Sequence, residues 1–118
     1  AVQLAAVVFW GAALAAFDVF IHTSRYEGMP AAILEAMAFK KPCILTPGTN
    51  LQHVLSRAEG GWPCGENAES IAQALRDAAA SRSELTRRGE NARRHVMAQY
   101  TWATLAKDYV RELSRLIR

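Results

Sequence analysis

From residue 18 onward the chain alternates short apolar runs with helical stretches, and this alternation constrains the fold more than any other feature. Val19-Phe20-Ile21-His22-Thr23 is rich in β-formers. Pro30 to Phe39 is dense in Ala, Leu, Met and Glu, with proline where a first helical turn tolerates it, and Pro42 stops the run. Cys43-Ile44-Leu45-Thr46 is a second apolar strand, Pro47-Gly48-Thr49-Asn50 a turn, and Leu51 to about Glu59 a short helix closed by Gly60-Gly61. Trp62-Pro63-Cys64 reads as a weak third strand or an extended loop, because Pro63 has no N–H for a ladder. Strands separated by helices imply parallel pairing, which needs crossover connections. The expected class is α/β, a partial doubly wound, Rossmann-like parallel sheet with helices. In such sheets ligands bind beyond the carboxyl ends of the strands, which points to residues 22–31 and 46–50.

The rest of the chain is helical in pattern. Ile71, Ala74, Leu75 and Ala78 have helical spacing within residues 68–81. A further helix opens at Ser83 and runs to about Gln99, and Thr101 caps a last one. Its apolar residues, Trp102, Leu105, Ala106, Tyr109, Val110, Leu113 and Leu116, form one stripe that reads as a packing seam. Residues 1–17 differ in kind. They carry no charge, and Gln3 is the one polar side chain. The segment is shorter than the roughly 20 apolar residues that span a bilayer, and it lacks the basic flank of a signal peptide. It reads as a buried helix or strand-plus-helix ahead of a unit covering residues 18–118, in a chain that begins inside a larger protein.

Charge and cysteine usage narrow the function classes. The net charge of +3 lies wholly in residues 61–118, on a surface of mixed sign, which argues against a nucleic-acid binder. Arg87-Arg88 and Arg93-Arg94 form a basic stretch on one helix; a solvated face and contact with an anionic membrane both fit it. Cys43 and Cys64 sit in apolar runs and read as buried, reduced thiols, as in a cytoplasmic protein. No Cys/His group has zinc-ligand spacing, and no metal or other cofactor is expected.

The first of the two loops, Thr23-Ser24-Arg25-Tyr26-Glu27-Gly28-Met29-Pro30, leads straight into a helix. A helix N-terminus offers unpaired N–H groups and a partial positive charge to a phosphate. Gly28 allows close approach, and the donors available around Pro30 are those of Gly28, Met29, Ala31 and Ala32. A plain structural turn fits the same residues. Glu35 has Ala31, Ala32, Ala38 and Phe39 as its helical neighbours, a face of mostly small side chains that leaves room for a ligand. Its carboxylate can accept two hydrogen bonds from vicinal hydroxyls, as on a ribose; a solvent-exposed glutamate fits equally well.

Ser24-Arg25-Tyr26-Glu27-Gly28-Met29-Pro30, Leu34-Glu35-Ala36-Met37-Ala38 and Lys41-Pro42 together resemble the motif of retaining nucleotide-sugar glycosyltransferases of the GT-B fold, the large group-one family. In both, two glutamates are separated by seven residues, here Glu27 and Glu35. The resemblance continues through Thr46-Pro47-Gly48-Thr49-Asn50 and Gly60-Gly61-Trp62 to Tyr100-Thr101-Trp102, covering about residues 17–116. It implies the C-terminal half of a GT-B second domain, and a nucleotide-diphosphate sugar as donor substrate. Glu27 would contact the donor sugar near the reacting carbon and is the catalytic candidate. Glu35 would hold the ribose hydroxyls. The backbone of Gly28, Met29 and Ala31 would face the diphosphate and sugar, with Ser24 and Arg25 lining the same cleft. The acceptor would be a glycan or a lipid-linked glycan, held by a domain outside these residues, and the place of action the cytoplasm or the inner face of the membrane. By the same resemblance the last helix reaches back toward the other domain.

Three departures qualify the resemblance. Lys40 stands where the family usually has a left-handed Gly, so a different turn is expected there. Ala31 stands where Asn is frequent, which removes one ligand hydrogen bond. The basic side chains that grip the diphosphate have no counterpart in residues 1–16, so the chain by itself is expected to be inactive. The alternative reading is a non-catalytic module that forms a homodimer through its apolar N-terminal segment. His22 reads as a structural histidine near the cleft, and His53 and His95 as surface residues on helices.

Overall fold

A computed structural model describes residues 10–117. Residues 10–16 form a helix, α1. The order is then β1 (Phe20–His22), α2 (Ala31–Ala38), β2 (Cys43–Leu45), a single 3-10 turn (Pro47–Thr49), α3 (Gln52–Ala58), β3 (Gly61–Pro63), α4 (Ala68–Ala79), α5 (Arg82–Gln99) and α6 (Trp102–Leu116). The three strands pair in parallel in the order β1-β2-β3, with Ile21 opposite Ile44 and Ile44 opposite Trp62. The α/β class with a parallel sheet is as the alternation predicted. Of the apolar segment expected over residues 1–17, residues 1–9 lie outside the described residues.

The central strand shows why its sequence is uniformly apolar. Cys43, Ile44 and Leu45 are all fully buried, because helices cover both faces of the sheet. Cys43 and Leu45 point into a core with Leu14 of α1, Ile33, Ala36 and Met37 of α2, Leu51, Val54 and Leu55 at α3, and Ala92 and Val96 of α5. Ile44 points the opposite way, onto Ala74 and Ala78 of α4, with Val19, Trp62, Ile71 and Leu85 around them. Side chains alternate along a strand, so one residue of slip would exchange the two cores.

Glycines serve close approach rather than unusual backbone angles. α3 is closed by Glu59, left-handed at φ 49°, and not by Gly60-Gly61 as the sequence suggested. Gly61 instead begins β3, one residue earlier than expected, and has no room for a side chain: a Cβ there would lie 1.9 Å from the Cys43 carbonyl oxygen. Pro63 is tolerated since β3 lies at the sheet edge. Gly89, in the middle of α5, lets that helix pass over the turn after α2; a Cβ would meet the Lys40 carbonyl oxygen at 2.1 Å.

That turn keeps the left-handed geometry despite its lysine. Lys40 has φ 59°, the Lys40 N–H donates to Met37 O at 3.1 Å, and the Lys41 N–H donates to Ala36 O at 3.0 Å. These two bonds are those of a Schellman motif, so the expectation of a different turn is corrected. The caps of α4 and α5 are Asn67, accepting from Ser70 N–H at 2.8 Å, and Ser81, accepting from Glu84 N–H at 3.3 Å. α5 therefore starts two residues before the Ser83–Glu84 boundary read from the sequence. Thr101 caps α6 as predicted, accepting from Thr104 N–H at 3.2 Å. α6 buries none of its residues, so its apolar stripe is not a seam among the described residues.

Candidate functional site

Both loops expected to hold a ligand lie at the carboxyl ends of β1 and β2, and the second buttresses the first. The Thr46 hydroxyl donates to Ser24 O at 2.7 Å and accepts from Ser24 N–H at 3.0 Å. Gly48 packs so closely that a Cβ would lie 2.3 Å from Ser24 O. Asn50, left-handed at φ 61°, donates from its side-chain amide to the carbonyl of Glu27 and, at 3.3 Å, to that of Gly28. Gln52, the first residue of α3, ties the ends of β2 and β3 by donating to Leu45 O and Cys64 O, each at 2.8 Å. Thr46, Asn50 and Gln52 thus shape the site, although their sequence signal is only a polar cluster after a strand. A left-handed Asn at a turn is the one part of it legible in advance.

Glu27 sits half-buried on this scaffold. Its Oε1 accepts from Ser24 Oγ at 2.8 Å and pairs with His22 Nε2 at 3.1 Å. These contacts, that of His22 foremost, hold the Glu27 carboxyl below the usual carboxylate range. His22 is therefore a partner of the candidate carboxylate, closer to the chemistry than its reading as a structural histidine suggested. Its ring stacks on Phe20, with centroids 6.2 Å apart, and Phe20 meets Trp10 edge-on at 6.4 Å.

The helix start beside Glu27 is open. Pro30 is the N-cap of α2 and Ile33 N–H returns to Pro30 O at 3.1 Å. The N–H groups of Gly28, Met29, Ala31 and Ala32 have no acceptor among the described residues. Gly28 has open space on its Cβ side, and Arg25, Tyr26 and Met29 are exposed, the last two at 87% and 67%. Arg25 forms no ion pair among the described residues. Ser24, Arg25, Glu27, Gly28, Met29 and Ala31 thus share one rim of unpaired donors, a guanidinium and an ionised carboxylate.

Glu35 lies one turn further along α2, exposed, on the face of small residues. The space above it is partly taken: the Trp10 indole N–H donates to Glu35 Oε2. Leu34, Glu35 and Ala38 face a groove of about 350 Å³ whose far wall is Val96, Met97, Tyr100, Thr101 and Trp102. Glu27 and Glu35 share no hydrogen bond, and a run of contacts through His22, Phe20 and Trp10 links them. Among the described residues no group of three His, Cys, Asp or Glu side chains is placed to hold a metal ion. No helix there is long and apolar enough to cross a membrane.

Comparison with known proteins agrees with this geometry. Residues 11–95 match the family described as glycosyl transferases group 1. The chain is 32% identical over 92 residues to a probable sucrose-phosphate synthase of Thermosipho melanesiensis, covering 78% of this chain and 21% of that protein. Among solved structures, sucrose-phosphate synthase of Thermosynechococcus elongatus superposes with a TM-score of 0.78 at 25% identity, over 89% of this chain and 27% of that one. WaaG, a glycosyltransferase involved in lipopolysaccharide biosynthesis, superposes with a TM-score of 0.71 at 24% identity, over 81% and 26%, a likeness of fold. The chain therefore spans about a fifth to a quarter of the length of these proteins. With its parallel sheet and the match over residues 11–95, the chain belongs to the group 1 glycosyl transferases of GT-B fold.

Proposed function

We propose that these residues bind a nucleotide-diphosphate sugar for retaining transfer to a glycan or lipid-linked acceptor, as hexosyltransferases do. The observation that carries the proposal is the rim at the start of α2. An ionised Glu27 stands beside four N–H groups and an Arg25 that have no partner among the described residues. The diphosphate sits against those donors and the helix start, whose partial positive charge stabilises the leaving group as it gains negative charge. Glu27 accepts hydrogen bonds from the sugar hydroxyls and stabilises positive charge growing at the reacting carbon.

Glu35 takes the ribose hydroxyls in place of the Trp10 N–H, so donor binding releases the indole. Titration with UDP or GDP is the test, followed by Trp fluorescence and by amide shifts of residues 24–35. Shifts confined to that loop and to Glu35, with a fluorescence change lost in Trp10→Phe, are expected. Unmoved amides over residues 24–35 at saturating nucleotide overturn the proposal.

Turnover requires an acceptor held against the donor. The rim is open opposite α2, where Tyr26 and Met29 are exposed. We therefore assign donor binding to this chain and the acceptor wall to residues outside it, in cytoplasmic polysaccharide synthesis at or near the membrane. The self-association reading draws no support from residues 10–17, where Leu14 is buried in the core and Trp10 is turned onto Glu35.

A further inference from the structure

Most arginines among the described residues hold a carboxylate, carbonyl or amide oxygen of the chain itself. Arg76 pairs with Glu69, Arg82 with Asp18, Arg87 with Glu84 and Glu59, Arg88 with Glu84, and Arg111 and Arg115 with Glu112. Arg93 donates to Ala38 O and Arg94 to Asn91 Oδ1. Among the described residues two arginines have no such partner: Arg25, on the rim described above, and Arg57.

Arg57 lies in a cleft of about 440 Å³ between α3 and α5, lined by His53, Val54, Arg57, His95, Gln99 and Tyr100. The wall holds no carboxylate. A smaller cavity of about 250 Å³ continues from it past His95 toward Asn91 and Arg94. Glu59, the acidic residue nearest in sequence, is turned away onto Arg87 at 3.5 Å. The side chains of His53, Arg57, His95, Gln99 and Tyr100 make no hydrogen bond among the described residues, while the His95 and Tyr100 rings rest 6.2 Å apart.

A guanidinium, two imidazoles, an amide and a phenol therefore converge from two helices on one space with their donors unused. A guanidinium on a wall without a carboxylate favours an anion beside it, and the neighbouring polar groups can add hydrogen bonds to that anion. A carboxylate satisfies one guanidinium through two oxygens, whereas donors spread around a cleft suit an anion that presents oxygens in several directions.

We propose that this cleft is a second binding site of the protein, taking a phosphoryl group. It uses neither Glu27 nor Glu35 and stands independently of the donor site, although Tyr100 also lines the groove beside Glu35. The phosphoryl group belongs either to a free phosphate or phosphorylated sugar, or to the headgroup of an anionic lipid.

The test is titration of the full chain with inorganic phosphate at constant ionic strength, read from the imidazole resonances of His53 and His95. Parallel arms use vesicles of phosphatidylglycerol with phosphatidylcholine, and of phosphatidylcholine alone. Saturable shifts at about millimolar phosphate are expected. Arg57→Gln and His95→Gln should each weaken them about tenfold, and Glu27→Gln should not. Binding to phosphatidylglycerol vesicles without saturation by free phosphate assigns the site to a headgroup. Shifts no larger than those of matched chloride, together with no preference for the anionic vesicles, overturn the proposal. So does binding that survives unchanged in both variants, and the His95 variant keeps the test open should Arg57→Gln misfold.

Discussion

At the residue scale, Glu27 and His22 form the most testable unit. The carboxyl is held low first by the His22 contact and second by the Ser24 hydroxyl. A carboxylate favoured in the fold keeps that contribution above its unfolded pKa and loses it as pH falls through its folded value. His22→Ala should therefore move the Glu27 side-chain titration upward, read by NMR, and Ser24→Ala should move it less. Loss of Glu27 itself, as Glu27→Gln, should weaken binding of an intact donor sugar more than binding of the bare nucleotide, measured by calorimetry. Lys40 makes a separate prediction. It holds a left-handed angle at no structural advantage, so Lys40→Gly should stabilise the chain by about 1 kcal/mol in thermal unfolding. The paired glutamates and the loop between them were legible from residue identity and spacing. Their settings were not, because Trp10 reaches Glu35 from 25 positions away in the chain and Asn50 reaches Glu27 from 23.

At the element scale, strands and helices followed from periodicity, and their ends depended on groups that periodicity does not describe. Gly61 and Gly89 mark places where two backbones meet, and a methyl group at either would displace a carbonyl. Gly61→Ala and Gly89→Ala should each cost about 3 kcal/mol in denaturant unfolding, the upper range for overpacking. The basic stretch of α5 also resolves here. Arg87 and Arg88 converge on Glu84, and Arg88 continues to Gly61 O at 2.7 Å and lies 4.7 Å from the Trp62 ring centroid. Arg87 above all, with Arg88, brings the Glu84 carboxyl down to about 2 from 4.5. The stabilisation is present above the higher value and lost as pH falls toward the lower. Glu84→Gln should flatten the acid-unfolding profile in that window while leaving it unchanged at neutral pH in shape.

At the scale of the whole molecule, α5 organises the chain. It packs on α2 and α3, and α6 hangs from its end with Trp102, Tyr109, Leu113 and Leu116 more than half exposed. Amide exchange should therefore be slowest in β2 and α5 and fastest among the helices in α6, measured by mass spectrometry on the native chain. The two thiols belong to the protected part: Cys43 is buried and pushed up to about 12, and Cys64 is raised for the same reason. By itself the sequence determined the parallel α/β class, the strand-to-helix loops, the glutamate pair and the family. The class and the loops follow from periodicity and local spacing, and the family from the resemblance of the motif around Glu27 and Glu35, all of which a chain carries without reference to its fold. The tertiary structure alone decided that Trp10 covers Glu35, that His22 serves Glu27, that glycines mark contacts rather than turns, and that Arg57 faces a cleft without a carboxylate. Each of these joins residues distant in sequence, and only packing brings such residues together.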